Sequence, residues 1–338
     1  MRQFIGSPVH DDSTTAAASR RHARAAASML LGLALVLSAG GCSSAPEAPD
    51  RVVEARNRAA RHAEFGNDYF RRGNYSQANY FYRLALDEHR SVDYEPGVAR
   101  TLNAIGKVHI ERGEWDAAAE AFERAHDISR RLGEERIRLQ SINNLGELAL
   151  RRGDPARAVP LFEEAEALAE EGADEGEHAI VLHNLATALL RTGSLDAARG
   201  RLEEARSINT ELGRYGELAA NYYMLASVET RSGRLESARE RLVAALEHDK
   251  RVENSGGIAR DLMALGVVER RLGNHERSLD YLERSLAVHV TRDDVGGALR
   301  LLEELEESAK AANRPERAAA YAAERGRIEA AMGEESAQ

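Results

Sequence analysis

Asparagine side chains are the residues of this chain whose type and spacing best suit a chemical role. Asn103 and Asn143 are separated by 40 residues, and so are Asn144 and Asn184. A side-chain amide donates and accepts hydrogen bonds at once. A spaced row of amides can therefore hold the backbone of an extended or helical peptide without requiring a particular peptide sequence. The chemistry that these residues predict is recognition of a polypeptide.

The residue patterns that mark enzymes are not found in this sequence. It has no phosphate-binding glycine loop, no paired metal-ligand motif and no nucleophile flanked by glycines. His178 and His183 are five residues apart, whereas two metal ligands on one helix face are typically four apart. We therefore predict that the protein is not an enzyme and has no catalytic residue, no metal ligand and no cofactor.

Six glycines indicate the elements that must position the asparagines, because they recur at a fixed interval of 40 residues. They are Gly73, Gly113, Gly153, Gly193, Gly233 and Gly273. Gly113 follows a run of helix-forming residues and precedes the polar Glu114, which is typical of a helix C-cap that opens a tight turn. This regularity predicts one structural unit copied in tandem.

Two further columns of small residues share the period. The first column is Gly66, Gly106, Gly146, Ala186, Ala226 and Gly266, and the second is Ala78, Ala118, Ala158, Ala198, Ala238 and Ser278. Large apolar residues accompany them, namely Phe65, Ile105, Leu145, Leu185, Leu225 and Leu265 before the first column, and Tyr82, Phe122, Phe162, Leu202, Leu242 and Leu282 after the second. Since only a small side chain lets two helix backbones approach closely, each unit is predicted to be a packed helix pair.

This order of small, glycine, alanine and aromatic positions resembles the tetratricopeptide repeat. The signature of the second unit is Leu102, Ile105, Gly106, Gly113, Trp115, Ala118, Phe122 and Ala125. The common repeat has about 34 residues, and the longer period here resembles the subclass found in kinesin light chains and bacterial regulators. The resemblance implies an all-α fold, a right-handed superhelical solenoid of about seven helix hairpins. Asn313 replaces the glycine of the seventh unit, and asparagine is the next best residue at a left-handed cap.

The resemblance also implies which side chains face the concave groove of the solenoid. In the family these lie two and three residues before the first small column and one residue after it. The candidate partner-binding residues are Asn103, Lys107, Asn143, Asn144, Glu147, His183, Asn184, Thr187, Tyr223 and Met263. The alternative for the asparagines is packing between helices, because asparagine is also common at this position of the family.

A row of arginines precedes the turn glycines by two residues. Its members are Arg71, Arg151, Arg191, Arg231 and Arg271. A ladder of cations suits acidic peptides, but a cation in the last turn of a helix also complements the negative end of the helix dipole, which contributes about 0.3 to 1 kcal/mol. We favour the second interpretation.

The amino-terminal residues predict export rather than a folded element. Arg20, Arg21 and Arg24 precede an apolar run from Ala25 to Ala39, which is shorter than the roughly 20 residues of a membrane-spanning helix. Cys42, the only cysteine, follows two glycines, and this arrangement resembles the lipobox of bacterial lipoproteins. The resemblance implies that Cys42 is lipidated and that Ser43 favours the outer membrane, on the side that faces the periplasm. Ordinary cleavage that leaves an unmodified cysteine is the alternative.

These features divide the chain into four segments. Residues 1–41 are predicted to be a signal peptide, 42–51 a lipidated tether, 52–332 the solenoid with a polar carboxyl-terminal cap, and 333–338 a disordered tail. The formal net charge of −10 argues against a nucleic-acid partner, since binding to phosphates needs concentrated positive charge.

The expected function is a non-catalytic scaffold or adaptor in the bacterial cell envelope. It would bind a protein or peptide in its groove, and it would attach to the membrane through the lipid on Cys42. Envelope lipoproteins that resemble it assist the assembly of pili and outer-membrane complexes. The alternatives are a peptide-responsive regulator and an accessory subunit of an envelope enzyme.

Overall fold

The structure is a computed structural model that describes residues 50–172 and 174–336. These residues form fourteen α-helices and no β-strand. In chain order the helices are α1 (Arg51–Arg71), α2 (Tyr75–Arg90), α3 (Glu95–Glu111), α4 (Trp115–Leu132), α5 (Glu135–Arg151), α6 (Pro155–Gly172), α7 (Glu175–Thr192), α8 (Leu195–Glu211), α9 (Tyr215–Arg231), α10 (Leu235–Arg251), α11 (Ser255–Arg271), α12 (His275–Thr291), α13 (Val295–Ala311) and α14 (Pro315–Ser336).

The helices pair into seven consecutive units, and the units stack as a right-handed superhelical solenoid, as the sequence predicts. Each helix packs against the helices before and after it, and the first helix of a unit also contacts the first helix of the next unit. The first helices therefore form a continuous inner layer. Within the described ranges every helix is too short or too polar to cross a membrane bilayer. The predicted signal peptide and Cys42 lie outside the described residues.

The turn within each unit depends on the repeated glycine. All six glycines have positive φ angles, from 72° to 90°, and Asn313 takes the same conformation at 55°. A backbone bond closes each turn, for example the 2.9 Å bond from the Glu114 amide to the His109 carbonyl. This bond satisfies a carbonyl that the end of the helix leaves open. The predicted left-handed caps are confirmed, including the replacement by Asn313.

The first small column makes room for a side chain of the second helix rather than for its backbone. A Cβ atom on Gly106 would lie 2.3 Å from the Phe122 ring, and one on Gly146 would lie 2.6 Å from the Phe162 ring. Both rings are fully buried. The close contact is therefore confirmed, but an aromatic ring fills it. The alanines of the second column are also fully buried, from Ala78 to Ala238.

The two ends of the solenoid differ from the sequence-based expectation. Phe65 occupies an apolar column yet is 53% exposed, because α1 begins the solenoid and no earlier unit covers it. At the other end, α14 continues to Ser336 beyond the boundary predicted at 332, since a single glycine at position 333 costs a helix only about 1 kcal/mol. Ala318, Tyr321 and Ile328 of α14 cover the leucines of α13.

Candidate functional site

The inner layer contains all ten predicted groove residues, but with different exposure. Asn103 and Asn144 are 5% and 2% exposed, so their side chains lie inside the helix layer. Lys107 is exposed and makes no ion pair within the described part of the chain. The other seven residues are partly exposed, namely Asn143, Glu147, His183, Asn184, Thr187, Tyr223 and Met263. The open face of the groove is therefore centred on the fourth and fifth units.

Asn103 and Asn144 join the second and third units. The Asn103 Nδ2 donates to the Ser141 Oγ at 2.9 Å, and the Ser141 hydroxyl donates to the Ile137 carbonyl at 2.8 Å. The Asn144 Nδ2 lies 3.5 Å from the Asn103 Oδ1, at the limit for a hydrogen bond. A buried amide without partners is costly, so these bonds hold neighbouring helices together. For these two asparagines the geometry agrees with the packing alternative.

Asn143 and Asn184 form a second amide pair that remains partly exposed. The Asn184 Nδ2 donates to the Asn143 Oδ1 at 3.0 Å, across the third and fourth units. Neither the Asn143 Nδ2 nor the Asn184 Oδ1 makes another hydrogen bond within the described residues. One donor and one acceptor thus remain for a bound backbone, which is the complement that a peptide group needs.

His183 continues the polar line into the fifth unit. Its Nδ1 lies 3.1 Å from the Asn221 Nδ2, and the Asn221 Oδ1 accepts from the Asn209 Nδ2 at 2.8 Å. Because an amide nitrogen can only donate, the His183 Nδ1 accepts and the proton is on Nε2. Burial, followed by the charge of Arg260, lowers the pKa of His183. The ring is therefore a neutral donor to the groove.

A charged cluster follows Tyr223, between the fifth and sixth units. The Arg260 guanidinium lies 4.4 Å from the centre of the Tyr223 ring. It also lies 3.4 Å from the Asp249 Oδ2 and 3.8 Å from the Asp261 Oδ1. Burial, opposed by Arg260 and reinforced by Asp249, raises the pKa of Asp261 to about 7. Tyr223, the predicted groove residue, thus contacts a cation that two buried carboxyls hold.

Sequence reasoning missed Asn209, Asn221, Asp249 and Asp261. Asp249 and Asp261 each follow Asn209 and Asn221 by 40 residues, so the period was the signal that could have found them. The remaining predicted residues make local contacts. Thr187 bonds the carbonyl one helical turn earlier at 2.9 Å, and Glu147 pairs with Arg151 at 3.5 Å. Met263 packs on the apolar core of the sixth and seventh units.

One group of side chains among the described residues has the donor set for a metal ion. Glu166, Glu170 and His178 can each place a ligand atom within 4.8 Å of the other two. The Nε2 of His178 is buried without a hydrogen-bond partner. However, Glu166 is already paired with Arg201 at 2.7 Å, and burial raises the pKa of the Glu166 carboxyl. The group lies at the junction of α6 and α7, away from the predicted groove residues of the inner helices.

The arginine row stabilises neighbouring helices rather than forming a free cationic ladder. Arg191, Arg231 and Arg271 each donate to a carbonyl near the end of the preceding unit's first helix. The pairs are Arg191–Leu150 at 2.9 Å, Arg231–Leu190, and Arg271–Thr230 at 3.3 Å. The favoured interpretation is therefore confirmed in part, because the helix end that these three arginines complement belongs to the adjacent unit.

Stacked helix pairs with an inner layer of first helices and left-handed turns define an α-helical repeat protein. The sequence profile described as "Tetratricopeptide repeat" matches residues 57–131, 97–171, 135–211 and 216–289, which together make up more than half of the chain. The chain therefore belongs to the tetratricopeptide repeat family. No curated protein sequence matches it.

Solved structures of helical-repeat proteins are similar to the chain. BtubC (BKLC) from P. vanneervenii is 25% identical, with a TM-score of 0.58 over 65% of this chain and 92% of that one. The Rap conjugation gene regulator of the plasmid pLS20, solved with the Phr* peptide, is 19% identical, with a TM-score of 0.59 over 92% and 87%. A Rap protein complexed with Competence and Sporulation Factor is 17% identical, with a TM-score of 0.60 over 82% and 76%. At the identities of the two Rap proteins the likeness shows the fold.

Proposed function

We propose that the protein is a non-catalytic scaffold whose inner face binds a segment of polypeptide. The observation that carries the proposal is the Asn143–Asn184 pair, which leaves one donor and one acceptor on a partly exposed surface. His183 adds a neutral donor, and Tyr223 adds an aromatic surface backed by a cation. Such a set recognises a peptide backbone and an adjacent apolar side chain.

The two Rap structures support this proposal by analogy. Both were solved with a partner, one with Competence and Sporulation Factor and the other with the Phr* peptide. The same likeness favours a second candidate, a peptide-responsive regulator. In a regulator, peptide binding changes the arrangement of the units, whereas a scaffold keeps one arrangement. Small-angle scattering with and without the captured segment distinguishes the two.

We further propose that the scaffold acts in the cell envelope, anchored by lipid on Cys42 at the periplasmic side of the outer membrane, and that it assists the assembly of an envelope complex. The support is the export pattern that ends at Cys42. Replacing Cys42 with serine is expected to move the protein from the membrane fraction to the soluble fraction. A variant that stays in the membrane fraction contradicts the lipid anchor.

The binding proposal is tested by crosslinking in the native envelope, with two lysine variants compared. Lys107→Glu reverses a charge on the inner face, at the exposed side chain of α3, whereas Lys250→Glu makes the same change on α10, a second helix. We expect Lys107→Glu to reduce the recovery of the crosslinked partner severalfold and Lys250→Glu to leave it unchanged. Equal recovery from both variants contradicts binding at the inner face.

A further inference from the structure

A cavity of about 620 Å³ lies among α1, α2 and α3, at the amino-terminal end of the inner layer. Its walls include Arg56, His89, Tyr94 and Arg100, together with Asn67. The volume is within the range of about 300 to 1,000 Å³ that is usual for small-molecule sites. The polar groups of this wall are mainly hydrogen-bond donors, which selects the chemistry of a ligand.

Two arginines of the wall lie beside the same tyrosine. The Arg56 and Arg100 guanidinium carbons are 4.1 and 5.5 Å from the centre of the Tyr94 ring, and the Arg100 Nη2 donates to the Tyr94 hydroxyl at 3.0 Å. Neither arginine is in an ion pair with any described carboxylate. The chain has ten more acidic than basic residues, so two arginines together without a carboxylate are a departure from its general pattern.

His89 supplies a third polar group that lacks a partner. It is 8% exposed, and its Nδ1 is buried without a hydrogen bond. Burial, followed by the charges of Arg100 and Arg56, lowers the pKa of His89. The nearby carboxylate of Glu88 is already held by Arg58 at 2.8 Å. A buried polar atom without a partner is costly, and a ligand that hydrogen-bonds to it removes this cost.

The same positions are fully satisfied in another unit of this chain. His289 follows His89 by five periods, and its Nδ1 bonds the Asp294 carboxylate at 2.8 Å. Asp294 also accepts the Gly297 amide at 2.8 Å and so caps α13. At the cavity Tyr94 replaces this aspartate, and α3 has no side-chain cap. The repeat has thus lost a carboxylate where the cavity and the two arginines are.

We propose that this cavity binds the oxyanion group, a carboxylate or a phosphate, of a small organic acid. The two guanidinium groups match the planar, two-oxygen geometry of such a group, and bonds of this kind between charged partners are the strong ones. The anion takes the place of the missing aspartate, and its organic part fills the rest of the cavity. This inference is independent of the proposed function, because it requires no polypeptide partner.

Calorimetric titration of the purified full chain with inorganic phosphate, and separately with succinate, tests the proposal in a buffer of low ionic strength. Arg56→Gln and Arg100→Gln each remove one charge from the cavity wall. Arg61→Gln is the matched control, because Arg61 is an exposed residue of α1 that has no ion pair and does not line the cavity. Since Arg56 and Arg100 are exposed, we expect all three variants to fold, which circular dichroism checks.

We expect at least one of the two probes to bind, with the preferred probe identifying the carboxylate or the phosphate as the recognised group. Each cavity variant is expected to weaken that binding by about tenfold or more, and the control by less than about twofold. The bound anion is also expected to raise the pKa of His89, followed by nuclear magnetic resonance of its ring protons. Absence of binding by both probes overturns the proposal, and so does an equal loss of affinity in Arg61→Gln.

Discussion

At the scale of residues, one pair of positions recurs at the junction between consecutive units. In one junction it is Asn209 and Asn221, which share a 2.8 Å hydrogen bond. One period later it is Asp249 and Asp261, both fully buried, and neither carboxylate oxygen of Asp261 has a hydrogen bond. Two amides satisfy each other, but two carboxylates repel unless one of them is protonated. The carboxyl pair therefore makes this junction sensitive to pH.

Asp261→Asn is expected to stabilise the protein above neutral pH. A carboxyl whose pKa is raised by folding stabilises the fold below its unfolded pKa, and this stabilisation is lost as the pH rises through the folded pKa. With a folded pKa of about 7, the wild type should lose stability between about pH 4 and pH 7. The variant, which restores the chemistry of Asn221, should lack this loss and be more stable at pH 8 by roughly 1 to 3 kcal/mol.

Urea unfolding between pH 4 and pH 8 measures this effect. Asp280→Asn is the control, because Asp280 is an exposed residue whose partner Arg284 is one turn away on the same helix. The control should keep the wild-type pH dependence. The prediction is wrong if Asp261→Asn unfolds with the same pH dependence as the wild type, since Asp261 is then ionised throughout.

At the scale of elements, the helix pair is stabilised by matched volumes on its two helices. Where the second helix provides an aromatic ring, as at Tyr82, Phe122 and Phe162, the first helix has glycine at the facing position. Where the second helix provides Leu202 or Leu242, the first helix has alanine. The sum of the two volumes is thus nearly conserved between these units, as dense packing requires. Gly266 with Leu282 is the exception.

Gly106→Ala is expected to destabilise the second unit by about 1 to 3 kcal/mol, because its Cβ would meet the Phe122 ring at 2.3 Å. The second substitution Phe122→Leu should recover part of this loss, since the pair then matches Ala226 with Leu242. Phe122→Leu alone should also destabilise, by leaving space above Gly106. The free energies of unfolding of the three variants form a double-mutant cycle. Additive losses would show that the two positions pack independently.

The turns show what could and could not be predicted from the sequence. The turn within each unit was predictable because glycine is the residue that adopts positive φ without strain. A second left-handed position, between consecutive units, was missed because its residues vary. Asp93, Glu253 and Asp293 have φ angles of 50° to 54° there, whereas Gly133 and Gly213 take the same place in other units. Backbone bonds such as Asn254 to Asp249, at 2.9 Å, impose the conformation that the side chains do not favour.

The candidate site was predictable in position but not in its hydrogen bonds. The repeat register places the asparagines on the inner helices, as observed. Whether Asn103 faces Ser141 or the open groove depends on the stagger between adjacent units, which the spacing along the chain does not specify. The cavity around Arg56 was missed for the same reason, because its arginines, His89 and Tyr94 come from three helices and share no motif.

At the scale of the whole molecule, the units form a linear stack in which each helix contacts its neighbours in sequence. Inner units are covered on both sides, whereas the end units have one neighbour. In such a stack the stability of a unit is the sum of its own stability and that of its adjacent interfaces. Local stability should therefore be highest in the middle units and decrease toward both ends.

Ending the chain at Asn313 tests this nearest-neighbour behaviour, because it removes α14 and the Ala318, Tyr321 and Ile328 side chains that cover α13. We expect amide exchange in α13 to accelerate by at least about tenfold, equivalent to about 1.4 kcal/mol of local stability. Exchange in α4 and α6, around the buried Phe122 and Phe162, should remain unchanged, since no unit between them and the new end is altered. Hydrogen exchange followed by mass spectrometry resolves the individual helices. If protection fell equally along the whole chain, the seven units would unfold as one cooperative body and the linear description of their stability would be wrong.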